Sequence, residues 1–254
     1  MGDAVTVEYG DGVIEITINR PEARNAINGA VKQGIGEAVA ELDARDDLAI
    51  GILTGAGGTF CAGMDLKAFL AGETSGEPGR GMAGLAETQP RKPVIAAIEG
   101  YALAGGCELA LACDLRVAAD NAKFGIPEVK RSLVAGGGGL LRLPRLIPPT
   151  IAMEFALTGD FFTAADAQRY GLVNSLTAPG EALAGARALA ARITANGPLA
   201  VAATKEIITK AADWTFDEGW DAQQPIYAPV FASEDAKEGA RAFAEKRAPQ
   251  WKGR

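Results

Sequence analysis

The chain has 254 residues, of which 48% are hydrophobic, and a net charge of −7 at neutral pH. This length suits one large domain or a domain with an extension, and the acidic balance argues against a general nucleic-acid binder. The chain contains no histidine. Catalytic serine–histidine and cysteine–histidine pairs and histidine-based zinc sites are therefore excluded, which favours a carboxylate with a shifted pKa as the acid–base group.

No segment is typical of export or of a membrane span. The first twelve residues lack a basic stretch followed by an apolar one, and every long apolar run is interrupted by charge. The three cysteines, Cys61, Cys107 and Cys113, lack the spacing of a metal knuckle. We therefore expect reduced thiols in a cytoplasmic protein.

The first half of the chain alternates between predicted strands and helices. Apolar and polar residues alternate on both sides of Asp11 and Gly12, which predicts a β-hairpin. The next predicted elements are a helix over 25–47, a buried strand over 48–58, a helix from Met64, a glycine-rich mobile loop with a short helical piece over 72–90, a buried strand over 93–100 and a helix over 105–114.

The second half begins with a predicted strand and then becomes mainly helical. The strand begins at Leu115, and the helices are predicted over 151–159, 163–171, 182–196 and the whole of 199–247. We therefore expect an α/β core over residues 1–196, followed by a more charged helical region over 197–254.

Glycine-rich stretches invite comparison with nucleotide-binding loops. The run from Gly55 follows a predicted strand, but Phe60 stands where the third glycine of a dinucleotide-binding turn belongs. The run Ala135–Gly139 also departs from that pattern, and no phosphate-loop Gly-Lys-Ser/Thr motif occurs. The sequence therefore disfavours a nucleotide site of either kind.

Two other glycine-containing segments place backbone N–H groups where a predicted helix begins. They are FCAGMDLK, residues 60–67, and LAGGCEL, residues 103–109. Negative charge is favoured at a helix N-terminus, and two such loops facing each other would aim two donors at one carbonyl oxygen. That arrangement is an oxyanion hole made of backbone. The alternative is that these glycines only permit tight turns or close packing.

Two glutamates in apolar surroundings are the candidate acid–base groups. Glu108 falls in the first turn of its predicted helix, and burial among apolar neighbours should raise its pKa. Its alternative role is a structural carboxylate that caps or pairs inside the core. Glu128 follows Pro127, and its alternative is an ordinary exposed glutamate at a helix start. Neither is specific alone, but both beside one oxyanion site would indicate catalysis.

At these residues the chain resembles the enoyl-CoA hydratase/isomerase, or crotonase, superfamily, and the resemblance covers nearly the whole sequence. The matching segments are NRPEARNAIN (19–28), GGTFCAGMDLK (57–67), the run from Lys92 to Glu128, LTGDFFTAADAQRYGLVN (157–174) and AFAEKRAPQW (242–251). The resemblance implies an α/β fold: a spiral of ββα units with a helical C-terminal region that forms trimers, often paired as a dimer of trimers.

The resemblance also implies an acyl-CoA thioester site. In the family, two backbone N–H groups hold the thioester oxygen, and by position they belong here to Met64 and Gly105. The two hydratase glutamates match Glu108 and Glu128, which are twenty positions apart, as in the family. The implied reaction is syn addition of water to a trans-2-enoyl-CoA, in which Glu108 deprotonates the water and Glu128 protonates C2. No metal or redox cofactor is implied.

Further residues are implied to bind the CoA portion. Those matching the CoA path are Arg24, Ala26, Ala62, Asp65, Leu66 and Lys67. In the family, a C-terminal phenylalanine–lysine pair from a neighbouring subunit can also reach the CoA. Phe243 and Lys246 occupy the matching segment, with an ordinary solvated helix face as the alternative.

Two departures from the family pattern bear on acyl-chain specificity. Met64 replaces the usual alanine, and Leu140 and Leu141 replace a threonine–glutamine pair. The first hypothesis is a 2-enoyl-CoA hydratase or a close dehydratase. The second is an isomerase, although isomerases commonly lack the glutamate at position 108. The third is a non-catalytic acyl-CoA or RNA-binding protein, which the acidic charge and both glutamates disfavour. The expected partners are an acyl-CoA and further copies of the chain, with no nucleic acid or membrane.

Overall fold

The computed structural model describes residues 2–72, 76–77, 81–87 and 89–254. The strands are β1 Val5–Gly10, β2 Val13–Ile18, β3 Ile50–Gly55, β4 Gly76–Glu77, β5 Gly81–Met82, β6 Val94–Ile98, β7 Tyr101–Leu103, β8 Leu115–Ala119, β9 Lys123–Gly125, β10 Phe162–Thr163 and β11 Ser175–Thr177. The helices are α1 Gly29–Ala44, α2 Leu66–Leu70, α3 Gly105–Ala112, α4 Gly139–Leu146, α5 Pro149–Thr158, α6 Ala164–Arg169, α7 Ala182–Thr194, α8 Pro198–Ala211, α9 Phe216–Ala232 and α10 Glu234–Glu245. Two 3₁₀ helices cover Pro21–Ala23 and Pro127–Arg131.

A six-stranded sheet in the order β1-β2-β3-β6-β8-β11 forms the centre of the fold. The hairpin β1–β2 is antiparallel, and the remaining neighbours are parallel. Its turn residues Asp11 and Gly12 have φ values of 51° and 77°, the left-handed pair that a two-residue hairpin turn favours. A second sheet, in the order β10-β9-β7, branches from the first. The predicted spiral of strand–strand–helix units is confirmed.

Both faces of the six-stranded sheet are covered, as buried parallel strands require. Ile50 and Ile52 of β3 pack on one face with Ala186 and Ala190 of α7. Leu53 points to the other face and joins the larger core cluster. The alternation follows from the two-residue period of a strand, and it explains why β3 is apolar on both sides.

Aromatic stacking anchors the segment that carries Glu128. The ring of Phe162 in β10 stacks 5.6 Å from Phe124 in β9 and 4.3 Å from Phe155 in α5. The short 3₁₀ helix over Pro127–Arg131 follows directly from β9. Because β9 is paired on both sides in its sheet and its Phe124 stacks on Phe162, the start of this helix has a defined position.

The region after Gly197 makes polar contacts with the preceding part of the chain. The Nζ of Lys205 in α8 lies 2.8 Å from Asp114 Oδ2 and donates to the carbonyl of Lys92 at 2.9 Å. The indole N–H of Trp251 donates to the carbonyl of Ala195 at 2.9 Å. The division into a core over 1–196 and a helical region over 197–254 stays a prediction. No described helix is long and apolar enough to cross a membrane.

The segment predicted as a loop over 72–90 contains extended structure in its described part. Strands β4 and β5 pair antiparallel, and residues 81–87 lie largely buried against the core. The predicted short helical piece does not occur within residues 72, 76–77, 81–87 and 89–90. Residues 73–75, 78–80 and 88 lie outside the described residues, and so does that part of the prediction.

Candidate active site

Two chain segments, each between a strand and a helix, lie side by side. The N–H of Cys61 donates to the carbonyl of Tyr101 at 2.8 Å, and the N–H of Leu103 donates to the carbonyl of Cys61 at 3.0 Å. A Cβ on Gly106 would collide with the carbonyl of Cys61, so only glycine allows this approach. The loops that precede α2 and α3 are therefore fixed next to each other.

The amides of Met64 and Gly105 lie close together at this point. A Cβ built on Gly63 would lie 3.2 Å from the nitrogen of Gly105, and a Cβ built on Gly105 would lie 3.6 Å from the nitrogen of Met64. Neither amide donates to another group in the part of the chain that the structure describes. Ala104 precedes α3 with a φ of 50°, a strained conformation that turns the next amide outward.

Hydrogen bonds fix the backbone on either side of the Met64 amide. The N–H of Ile27 donates to the carbonyl of Gly63 at 2.8 Å, and the N–H of Asp65 donates to the carbonyl of Ile27 at 2.9 Å. These two bonds form a parallel bridge between Ile27 and Met64, which leaves the N–H of Met64 on the opposite side. Two preorganised donors therefore lie next to each other, as an oxyanion hole requires.

Glu108 lies one turn inside α3, with only 3% of its surface exposed. The N–H of Gly139 donates to its Oε1 at 3.0 Å. Burial raises the pKa of this carboxyl, while N–H donors from Gly139 and Gly137 and the charge of Arg142 oppose the rise. The carboxylate is thus buried but partly compensated, which suits a group that must ionise to accept a proton.

Glu128 lies in the 3₁₀ helix that Pro127 begins, and it is half-buried. Its Oε2 is buried without a hydrogen-bond partner among the described residues. Burial, reinforced by the negative charge of Glu108, raises the pKa of Glu128 to about 7. Glu128 is therefore not an ordinary exposed glutamate, and the charge of Glu108 is close enough to act on its pKa.

The combined arrangement can perform acid–base chemistry beside a polarised carbonyl. Glu108 lies in α3, whose first amide belongs to the donor pair, and its negative charge contributes to the raised pKa of Glu128. When two such groups are pushed to unequal pKa values, the more easily ionised one suits a base and the other suits an acid. Here the compensated Glu108 is the candidate base and Glu128 the candidate acid.

Comparison with known proteins places this site in a family. The family model for enoyl-CoA hydratase/isomerase matches residues 8–254. The chain belongs to the enoyl-CoA hydratase/isomerase family. The crystal structure of an enoyl-CoA hydratase from Mycobacterium tuberculosis is 60% identical, covers 100% of both chains and superposes with a TM-score of 0.98.

Other relatives of this family member carry a related name. A carnitinyl-CoA dehydratase from Salmonella arizonae is 45% identical over 100% of both chains. The crystal structure of a carnitinyl-CoA hydratase from Mycobacterium avium is 44% identical over 100% of both chains, with a TM-score of 0.80. The chain is therefore a hydratase- or dehydratase-type member of the family, and an enzyme of this class acts on acyl-CoA thioesters.

The residues assigned to the CoA path by the family resemblance surround the entry to α2. Ala26 and Ala62 are half-buried, and the N–H of Ala62 donates to the carbonyl of Arg24 at 3.0 Å. Arg24, Leu66 and Lys67 are exposed beside them. Their contact with CoA stays a prediction.

Asp65 has a structural task that the sequence did not indicate. Its Oδ1 accepts from the N–H of Lys67 at 3.0 Å and caps α2, and its Oδ2 lies 3.0 Å from Nη2 of Arg20. Arg20 also donates through Nη1 to the carbonyl of Ala26 at 2.6 Å. The hydrogen bond from Arg20 holds the pKa of Asp65 below its ordinary value. The carboxylate therefore braces the loop before α2, and its contact with CoA stays a prediction.

Phe243 and Lys246 lie at the end of α10, where 88% of the phenylalanine is exposed. No hydrogen bond or ion pair joins either side chain to the candidate site within the described chain. The structure thus does not bring them to the site of their own subunit, and a contact with a neighbouring subunit's CoA stays a prediction.

Three contributors to the site were missed by sequence reasoning. Gly137 and Gly139 approach Glu108 so closely that a Cβ on Gly137 would lie 2.8 Å from its Oε2. Arg142 places its charge near Glu108 and donates through Nη2 to the carbonyl of Ala86. The glycine run before α4 was the available signal, since consecutive glycines often mark close backbone approach. Its partner, thirty positions earlier, was not visible in the sequence.

The cysteines take no visible part in this chemistry. Cys61, Cys107 and Cys113 are free and fully buried, and burial raises the pKa of each thiol to about 12. They are therefore protonated and poor nucleophiles at neutral pH. Within the described residues no group of three acidic or thiol side chains could hold a metal ion. The expectation that no cofactor is needed stays a prediction.

Proposed function

We propose that the protein hydrates the 2,3 double bond of a trans-2-enoyl-CoA, reversibly. The observation that carries the proposal is a pair of glutamates with raised pKa values, one buried and one half-buried, together with two adjacent amides that donate to no other described group. Isomerisation moves a proton within one substrate and requires no second carboxyl to share a water. The presence of both glutamates therefore favours hydration.

In the proposed reaction, the thioester oxygen accepts from the N–H groups of Met64 and Gly105. These bonds stabilise the negative charge that develops as C3 is attacked. Glu108 takes a proton from water, the water oxygen bonds to C3, and Glu128 gives its proton to C2. The double-bond electrons form the new C2–H bond, so the enolate collapses to the neutral hydroxyacyl thioester. Transfer of one proton between the carboxyls through a second water restores the starting state.

A carnitinyl-CoA is the second candidate substrate, because relatives at 44–45% identity have that name. Its acyl group has a trimethylammonium, which proteins commonly hold against aromatic faces. Among the described residues, no aromatic side chain lines the cleft next to Gly137, so a trimethylammonium would lack this kind of partner there. The name of the relative at 60% identity, an enoyl-CoA hydratase, also favours an uncharged acyl group as the first candidate.

A substrate panel tests the proposal directly. The purified protein is given crotonyl-CoA, longer 2-enoyl-CoAs and crotonobetainyl-CoA, and loss of the enoyl-thioester absorbance is followed. We expect hydration of the uncharged substrates with a kcat/KM at least tenfold above that for crotonobetainyl-CoA. Preference for crotonobetainyl-CoA would support the second candidate, and binding without turnover of any member would refute hydratase activity.

We further propose that the active form is a trimer or a dimer of trimers. The 17-residue helix α9 has no buried residue, and three of its four aromatic side chains, Phe216, Trp220 and Phe231, are 81%, 62% and 77% exposed. Exposed apolar surface of this extent is typical of a protein–protein interface. It fits contact with another copy of the chain.

A further inference from the structure

We propose that Met82 limits the length of the acyl chain by separating the thioester site from a large cleft beneath α8. This inference rests on the proposed function, since it concerns the substrate of the same site. Met82 ends β5, and only 6% of its surface is exposed. Its position, rather than its chemistry, carries the inference.

The thioether of Met82 fills the space between the two glycine loops of the site. A Cβ built on Gly105 would lie 3.0 Å from Met82 Sδ, and a Cβ built on Gly137 would lie 2.7 Å from Met82 Cε. Gly105 carries one oxyanion amide, and Gly137 touches the carboxylate of Glu108. Met82 therefore lies against both the part of the site that holds the carbonyl and the part that holds the attacking water.

A cleft of about 1610 Å³ begins on the other side of the same side chain. Residues of α8 and of the core line it, and Met82 and Gly137 are among them. Its wall is largely aliphatic, with contributions from Leu111, Leu141, Leu146, Val201 and Ile208. Straight hydrocarbon chains bind favourably to such surfaces, because each buried CH₂ group removes apolar area from water.

Only the side chain of Met82 separates the thioester site from the cleft. An acyl chain whose carbonyl is held at Met64 and Gly105, and whose C3 faces Glu108, continues towards Gly137 and Met82. In the conformation observed, the thioether closes this direction, so short acyl groups fit and longer ones must displace Met82. Unbranched methionine side chains move more readily than branched ones, which makes Met82 a partial barrier.

Shortening this side chain tests the barrier. Met82→Ala should raise the ratio of kcat/KM for decenoyl-CoA to that for crotonyl-CoA by about tenfold or more, since a few methylenes of pocket space discriminate by that order. Met82→Val, which keeps more of the buried volume, should raise the ratio less and guards against loss of folding. Thermal unfolding of each variant shows that the ratio is measured on folded protein.

A second substitution tests the cleft as the path. Ala200 is exposed and lines the cleft from α8, whereas Ala211 is exposed on the same helix and does not line it. Adding Ala200→Trp to Met82→Ala should return the ratio to within about threefold of the wild-type value. Adding Ala211→Trp to Met82→Ala, the matched control, should leave the raised ratio in place.

The outcomes separate this inference from the proposed function. A raised ratio that Ala200→Trp reverses and Ala211→Trp does not would support it. An unchanged ratio in both Met82 variants, with crotonyl-CoA still hydrated, would overturn the inference alone. A raised ratio insensitive to Ala200→Trp would overturn the cleft as the acyl path. Failure of the wild-type protein to hydrate any enoyl-CoA would overturn the proposed function itself.

Discussion

Glu108 and Glu128 have the same functional group but different environments. Glu108 receives N–H donors and the field of Arg142, whereas Glu128 has a buried oxygen without a partner in the described chain. Their pKa values are both raised, chiefly by burial, and that of Glu128 reaches about 7. These different environments suit Glu108 to accept a proton and Glu128 to give one.

Burial of Glu128 should cost stability at high pH. The pKa of Glu128 is about 7 in the folded protein, above its ordinary value of 4.5. Its favourable contribution to the free energy of unfolding is therefore fully present below pH 4.5 and is lost as the pH rises through 7. The free energy of unfolding of Glu128→Gln, relative to that of the wild-type protein, should therefore be about 1–2 kcal/mol higher at pH 8 than at pH 4.5. This figure allows for the partial solvation of the carboxyl.

Urea unfolding at both pH values and one protein concentration measures this gain. Glu154→Gln, on the exposed surface of α5, is the control and should shift stability equally at both pH values. An equal effect of Glu128→Gln at pH 4.5 and pH 8 would show that this carboxyl is not perturbed by the fold.

At the scale of elements, the site depends on where short loops meet helix starts. Gly63 adopts a φ of +101°, and a Cβ there would lie 2.7 Å from Ala104 Cβ and 2.9 Å from the carbonyl of Leu103. Substitution must therefore move the loop before α2 away from the loop before α3. Each loop carries one N–H donor of the oxyanion hole. Moving the loops apart therefore disrupts the oxyanion hole without changing any charged group.

Gly63→Ala should accordingly lower kcat by about 10²–10³, the usual cost of losing one oxyanion donor. Gly58→Ala is the control, because Gly58 also has a positive φ of +73° but nothing lies within 4 Å of its built Cβ. Steady-state kinetics and thermal unfolding compare the two variants. Equal kcat values in both would argue that the amides of Met64 and Gly105 do not hold the thioester.

The elements also show how far the sequence predicts the structure. Helix α1 and the first hairpin follow from periodicity and turn chemistry, which are local. Strands β9 and β10 have three and two residues, too few to show a period, and α4 contains Pro144, which disfavours a helix prediction. The pair Glu108–Glu128 was visible as residues, but its support by Gly137, Gly139 and Arg142 arises only from tertiary folding.

At the scale of the molecule, the exposed aromatic face of α9 is the feature that a single chain leaves unexplained. Trp220→Glu places a charge in the middle of that face, where a buried unpaired charge is costly. We expect the wild-type protein to have the mass of three or six chains by light scattering, and this variant to dissociate to smaller species. A monomeric wild-type protein at micromolar concentration would contradict the proposed assembly.

The central claim is that two glutamates act on one water beside a backbone oxyanion hole. Its most direct test compares hydration of crotonyl-CoA by the wild-type protein, Glu108→Gln and Glu128→Gln, with CoA-thioester binding measured in parallel. The account predicts that each variant loses activity by several orders of magnitude while binding persists. A rate near that of the wild-type protein in either variant would contradict the mechanism.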